Sequence, residues 1–122
     1  MAVREKEKIF VAERYQYIEK KLIEIDDLIK KESSPAVTKA KYKDFKNWAK
    51  EEYNKTHKAT SMGEYIDQWY GPLITDIYVQ SFCIANVNAS MSKIELAIWN
   101  AIDYFHHYKS DFVEYADNDS KQ

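Results

Sequence analysis

Two glycines and two prolines in 122 residues leave this chain little with which to turn. A β-sandwich or barrel needs a turn after every short strand, and these two residue types make most such turns. Long helices joined by a few short loops need far fewer. The scarcity directs the chain to an all-α fold, and the length fits a single domain. With 45% hydrophobic and 31% charged residues, there is apolar material for one core and no default to disorder.

The apolar spacing gives four helices. In the first, residues 3–32, Val11, Tyr15, Ile18, Leu22, Ile25 and Ile29 alternate steps of four and three, a seam with heptad spacing. Ser33-Ser34-Pro35 ends it, with Ser34 placed to cap and Pro35 to open the next helix, residues 35–57. That helix packs through Thr38, Tyr42, Phe45, Trp48, Ala49 and Tyr53. Ser61 and Glu64 have capping-box spacing ahead of helix three, whose apolar side is Ile66, Trp69, Leu73, Ile77 and Phe82. Gly71-Pro72 predicts a kink there, because proline removes the amide that would bond residue 68 and crowds the preceding turn. Residues 86–90 form a linker. Ser92 and Glu95 repeat the capping-box spacing before helix four, which packs through Ile98, Ala101, Phe105, Tyr108, Phe112 and Tyr115. The polar tail from Ala116 is expected to fray. The expected fold is a four-helix bundle with a long N-terminal helix. Trp48, Trp69 and Trp99 are expected in the core, and Cys83 as a small buried side chain.

No chemistry-bearing constellation emerges. His106 and His107 are adjacent, so on a helix they point about 100° apart and cannot easily share one ion. Neither the Glu-x-x-His of di-iron bundles nor H-E-x-x-H occurs. Asp103 and Glu95 lie on the same helix without a partner that would shift their acidity. A phosphate cradle of loop amides is hard to build from two glycines. The expectation is no enzyme, no metal and no cofactor. Cys83, the only cysteine, excludes an internal disulfide. The charged N-terminus does not read as a signal peptide, and no apolar stretch reaches the eighteen or so residues of a membrane span. The chain reads as intracellular.

Charge is unevenly spread. Residues 1–60 carry 15 Lys/Arg against 11 Asp/Glu, and residues 61–122 carry 3 against 9. The first part therefore offers basic helices one and two for an anionic partner, and the second an acidic outer pair. Within helix two, Lys39, Lys43, Lys46 and Lys50 fall on a stripe about 60° wide. Four like charges on one ridge repel, so a sequence selected only for stability would intersperse glutamates. Eighteen aromatic residues (3 Trp, 10 Tyr, 5 Phe) are many for a four-helix core, and some are expected between subunits.

The Lys-rich aromatic helix, residues 62–81 (MGEYIDQWYGPLITDIYVQS) and residues 104–115 (YFHHYKSDFVEY) together resemble the major capsid proteins of filamentous archaeal viruses, the lipothrixvirus and rudivirus group. The likeness covers most of the chain in length, helix order and aromatic style. It implies a structural capsid protein that pairs with itself or a sister chain and stacks along linear double-stranded DNA held in A-form. The basic N-terminal helices would wrap the duplex and the remainder would face outward, in some members beneath a lipid envelope. The protein would reside in the virion, and in the host cytoplasm before assembly. Transferred to this sequence, the backbone contacts would be Arg4, Lys8, Arg14, Lys21, Lys39, Lys43, Lys46 and Lys50, which suits sequence-independent binding. Helix one departs from that pattern by also carrying eight acids. The residues by themselves leave open a second class, a small helical adaptor or inhibitor from a mobile element that binds one host protein.

Overall fold

The computed structural model describes the backbone of residues 3–58 and 61–120 and the side chains of 4–58 and 61–116. The described backbone is all-α. Helices α1 (Val3–Lys30) and α2 (Pro35–Lys58) are followed by a broken rod, and α5 (Met91–Ser120) closes the bundle. The rod comprises α3 (Glu64–Trp69), α4 (Gly71–Thr75), a π-helical turn (Asp76–Ser81) and a 3₁₀ turn (Phe82–Ile84).

Named contacts fix the order around the bundle. α1 meets α2 through Tyr17–Trp48 and Glu24–Lys41. α2 meets the rod through Tyr42–Phe82 and Tyr53–Tyr78. The rod meets α5 where Asn100 Nδ2 donates to Gln80 O and Ser81 Oγ, both 3.1 Å. α5 returns to α1 where Trp99 Nε1 donates to Asp26 Oδ1. The rod also reaches α1 at its α3 end, where the Tyr15 hydroxyl donates to Trp69 O at 2.6 Å.

The periodic residues pack as their spacing requires. Val11, Tyr15, Ile18, Leu22 and Ile25 of α1 are buried with Tyr42, Phe45 and Ala49 of α2, Leu73 and Ile77 of the rod, and Ile98, Ala101 and Phe105 of α5. Trp48 and Trp69 pack against this core partly buried. Two core expectations are corrected. Trp99 is 48% exposed, because it sits on the side of α5 turned from the core, and the thiol of Cys83 is exposed at the end of the rod.

Helix ends depart from the sequence reading in instructive ways. α1 stops at Lys30, and its last carbonyls are closed by Ser33 N to Leu28 O and Glu32 N to Ile29 O. Glu32 takes the left-handed position (φ 53°) that glycine usually fills. Ser61 does not cap α3 through a capping box. Its hydroxyl donates to Asp67, and the first turn of α3 is capped from another helix. Glu7 Oε1 of α1 accepts from Tyr65 N at 2.9 Å and Ile66 N at 3.5 Å. A carboxylate at a helix N-terminus gains from both the free amides and the helix dipole. α5 is opened by Ser90, not Ser92: the chain becomes helical at Met91, and Ser90 Oγ accepts from Lys93 N. The α5 backbone stays helical to Ser120, past the expected fraying point at Ala116.

The break at Gly71-Pro72 is present, with Pro72 in the first turn of α4. No breaker marks the π-helical turn after it. Ser81 Oγ donates back to Asp76 O, and Asn100 takes up the Gln80 carbonyl. The rod ends against α2, where the Tyr42 hydroxyl donates to Phe82 O (3.1 Å) and Ala85 O (2.6 Å).

Candidate nucleic-acid interface

The eight basic residues singled out in the sequence fall into two groups. The four on α1 are held by the protein itself. Arg14 Nε donates to Glu52 Oε1 at 2.8 Å, and its guanidinium lies 4.3 Å from the Phe10 ring centroid. Glu52 is 4% exposed and also accepts from the Tyr70 hydroxyl at 2.7 Å and pairs with Lys55 at 3.2 Å. Burial alone would raise the Glu52 pKa, but the hydrogen bonds from Tyr70, Arg14 and Lys55 outweigh it and hold the carboxyl below its ordinary value. Arg4 donates to the Tyr115 hydroxyl at 2.9 Å. Lys8 and Lys21 each lie 3.9 Å from a glutamate one turn along, Glu5 and Glu24. α1 holds seven basic and seven acidic residues, so it presents no net charge to an anion.

α2 differs. It holds seven lysines against Asp44, Glu51 and Glu52, a net of +4. Within the helix the lysine stripe divides. Lys43 and Lys50 are exposed and point away from the bundle on the arc that also carries exposed Asn47, Asn54 and Lys58. Lys39 and Lys46 are half-buried beside the rod. Lys46 Nζ donates to Ala85 O at 2.8 Å, completing the C-terminal cap begun by Tyr42. Burial, with Lys50 nearby, holds Lys46 below the usual lysine value. Among the described residues, Lys39, Lys43 and Lys50 have no ion-pair partner within 4 Å.

What the spacing could not show is which lysines a carboxylate or carbonyl already engages. Glu52, the residue that occupies Arg14, is also the one member of the α2 core face absent from its apolar seam. Its position one turn after Ala49 was a usable signal, since a charged residue in register with a core seam needs a partner.

The remainder of the molecule holds no convergent catalytic set among the described residues. A hollow of about 440 Å³ is lined by Thr56, His57, Asp67, Thr75, Asp76 and Tyr108 among others. Asp76 accepts from the Tyr108 hydroxyl, Asp67 accepts from Ser61 and Met62 N, and His57 Nδ1 lies 2.9 Å from Tyr53 O. His106 and His107 are both exposed, and no group of three or more His, Cys, Asp or Glu among the described residues could hold a metal ion. None of the described helices is long and apolar enough to cross a membrane. The chain matches no protein-family model, no curated protein and no solved structure.

Proposed function

We propose that this protein is the structural subunit of a nucleoprotein coat, assembling on linear double-stranded DNA through α2. The observation that carries the reading is the outward arc of α2, where Lys43 and Lys50 stand exposed and unpaired among Asn47 and Asn54. Lysines on a rigid helix contact phosphate without reading bases, and asparagine amides add donors to the backbone oxygens. The resemblance to filamentous-virus capsid proteins supplies the rest: a dimer with itself or a sister chain, a duplex in A-form, and in some arrangements a lipid envelope outside. With Arg4, Lys8, Arg14 and Lys21 engaged internally, we assign the contact to α2 and do not share it between helices one and two. The acidic α5 and rod then face away from the phosphates.

Nuclease protection of linear duplex tests this. Each phosphate contact contributes a slope of about −0.9 in log K against log salt, so Lys43→Glu/Lys50→Glu should flatten the dependence by about 2 and lose protection. Surface changes of this kind cost little stability, and helicity should be unchanged. If the variant protects DNA as well as the parent, the arc is an ordinary solvated face and the reading fails.

A further inference from the structure

α1 and α5 run antiparallel side by side, tied in turn by Arg4 to Tyr115, Glu19 to Lys109 and Asp26 to Trp99. The seam between them is open. One hollow of about 270 Å³ is lined by Tyr15, Phe105 and Phe112, and a second of about 150 Å³ by Leu22 and Phe105. Large apolar side chains stand out on either side of it: Ile9 (44% exposed) and Ile23 (55%) on α1, Trp99 (48%) and Val113 (47%) on α5.

Their spacing has an inverted symmetry. Ile9 and Ile23 lie seven residues either side of Gln16, and Trp99 and Val113 lie seven residues either side of His106. Seven residues are nearly two helical turns, so each set of three shares one face of its helix, its ends about 10 Å from its middle. Gln16 and His106 are exposed at a common level, because Tyr15 and Phe105, the residues just before them, have ring centroids 5.8 Å apart. A two-fold axis across the seam at this level, perpendicular to the helices, sets Ile9 of one copy against Ile23 of the other. It sets Trp99 against Val113 in the same way, where Val113 borders the larger hollow.

The charges invert about the same level. Exposed Glu13 and Lys20 lie three residues before and four after Gln16, so each comes opposite the other in the second copy. Exposed Asp103 and half-buried Lys109 lie three residues either side of His106 and are matched likewise. Asp27 meets exposed Glu5 and Lys6, one of each sign. A two-fold axis along the helices would instead gather Asp27 and Asp103 of both copies at one end. Exposed apolar groups with charges around them fit a surface that meets apolar with apolar and acid with base. The chain itself, inverted, is such a surface.

We propose that two copies of this chain pair through their α1/α5 faces about a two-fold axis at Gln16 and His106. The contact is isologous and closes on itself as a dimer. It gives the self-pairing of the coat reading a surface, and it does not rest on DNA binding, since Lys43 and Lys50 belong to α2.

The test is sedimentation velocity of the DNA-free protein over a concentration series, at low salt with reductant. The parent should pass from monomer to dimer and no further. Trp99→Asp and Ile23→Asp should each weaken dimerisation at least tenfold. Glu13→Lys and Lys20→Glu should each weaken it severalfold by setting like charges opposite, and the double variant should recover most of the loss, because the exchange restores the pairs in inverted order. A parent monomeric throughout, Asp variants that dimerise as the parent does, or a double variant no better than the single ones would each overturn the proposal. Should an Asp variant lose helicity, cysteines in a Cys83→Ser background read the register instead. Gln16→Cys should oxidise to a disulfide dimer by itself, and Ile23→Cys only when mixed with Ile9→Cys. Two copies of position 23 would lie fourteen residues apart, about 21 Å, too far for a disulfide. Self-linking of Ile23→Cys, or none by Gln16→Cys, overturns the axis. Nuclease protection is read separately: a dimer without protection retires the DNA reading alone, and protection by a monomeric parent retires the dimer alone.

Discussion

Glu52→Ala should be among the most damaging single changes in the chain, although Glu52 carries no chemistry. It is 4% exposed and joins three elements: Arg14 of α1, Tyr70 between the two halves of the rod, and Lys55 of α2. Removing it leaves the Tyr70 hydroxyl, 1% exposed as a residue, without its acceptor, a loss of about 1–3 kcal/mol. It also leaves Arg14 without its partner. Breaking a fully buried pair costs about 3–5 kcal/mol, but the Arg14 side chain is 32% exposed and water recovers part of that. The two together come to about 3 kcal/mol, against a whole-domain stability of about 5–15 kcal/mol. Glu52→Gln keeps an acceptor oxygen for Tyr70 and should cost about 1 kcal/mol. In urea, monitored by far-UV circular dichroism, Glu52→Ala should lower the midpoint by about 1.5–2 M at a slope of about 1.5–2 kcal/mol/M. A shift under about 0.3 M would refute the view that this network ties α1, α2 and the rod together.

Because the Glu52 carboxyl is held below its ordinary pKa in the fold, its contribution is complete above about pH 5 and is lost as pH falls through and below about 4.3, where the unfolded chain takes up the proton. Urea midpoints between pH 3 and 7 should show that loss in the parent and a smaller one in Glu52→Gln. Gly63→Ala should cost about 1–3 kcal/mol, because Gly63 adopts φ 124° and an added Cβ would collide with the Glu7 carboxylate that caps α3. Its cost should shrink in a Glu7→Ala background, since the colliding group is then gone. The exposed Cys83 thiol should react with a maleimide in the native protein, one label per chain without denaturant, whereas a buried thiol would require unfolding.

Periodicity made the bundle legible because it reports directly which side of a helix meets apolar neighbours. Each α1 residue from Val11 to Ile25 in the seam is buried, and Gly71-Pro72 marked its break by removing an amide. The π-helical turn left no mark, because Asp76–Ser81 contains no breaker and its wide turn is held by Asn100, twenty residues further on. Both helix caps eluded the local pattern for a similar reason. Glu7 reaches α3 across 58 positions, and Ser90 pre-empts Ser92 because the linker delivers the chain to helix at Met91. Trp99 misled because residue size suggests core, while its angle around α5 sets it on the outer side beside Asp26. For the interface, charge counts along the chain placed positive potential in residues 1–60. They could not separate α1, neutral overall and with Arg14 tied to Glu52, from α2, which carries the surplus.

Electron microscopy of the protein mixed with linear duplexes of two defined lengths tests the coat reading most directly. The account predicts uniform filaments at low salt whose lengths follow the two duplexes, and none when Lys43 and Lys50 are both changed to glutamate. Absence of filaments with either duplex, or filaments whose length ignores the DNA, would contradict it.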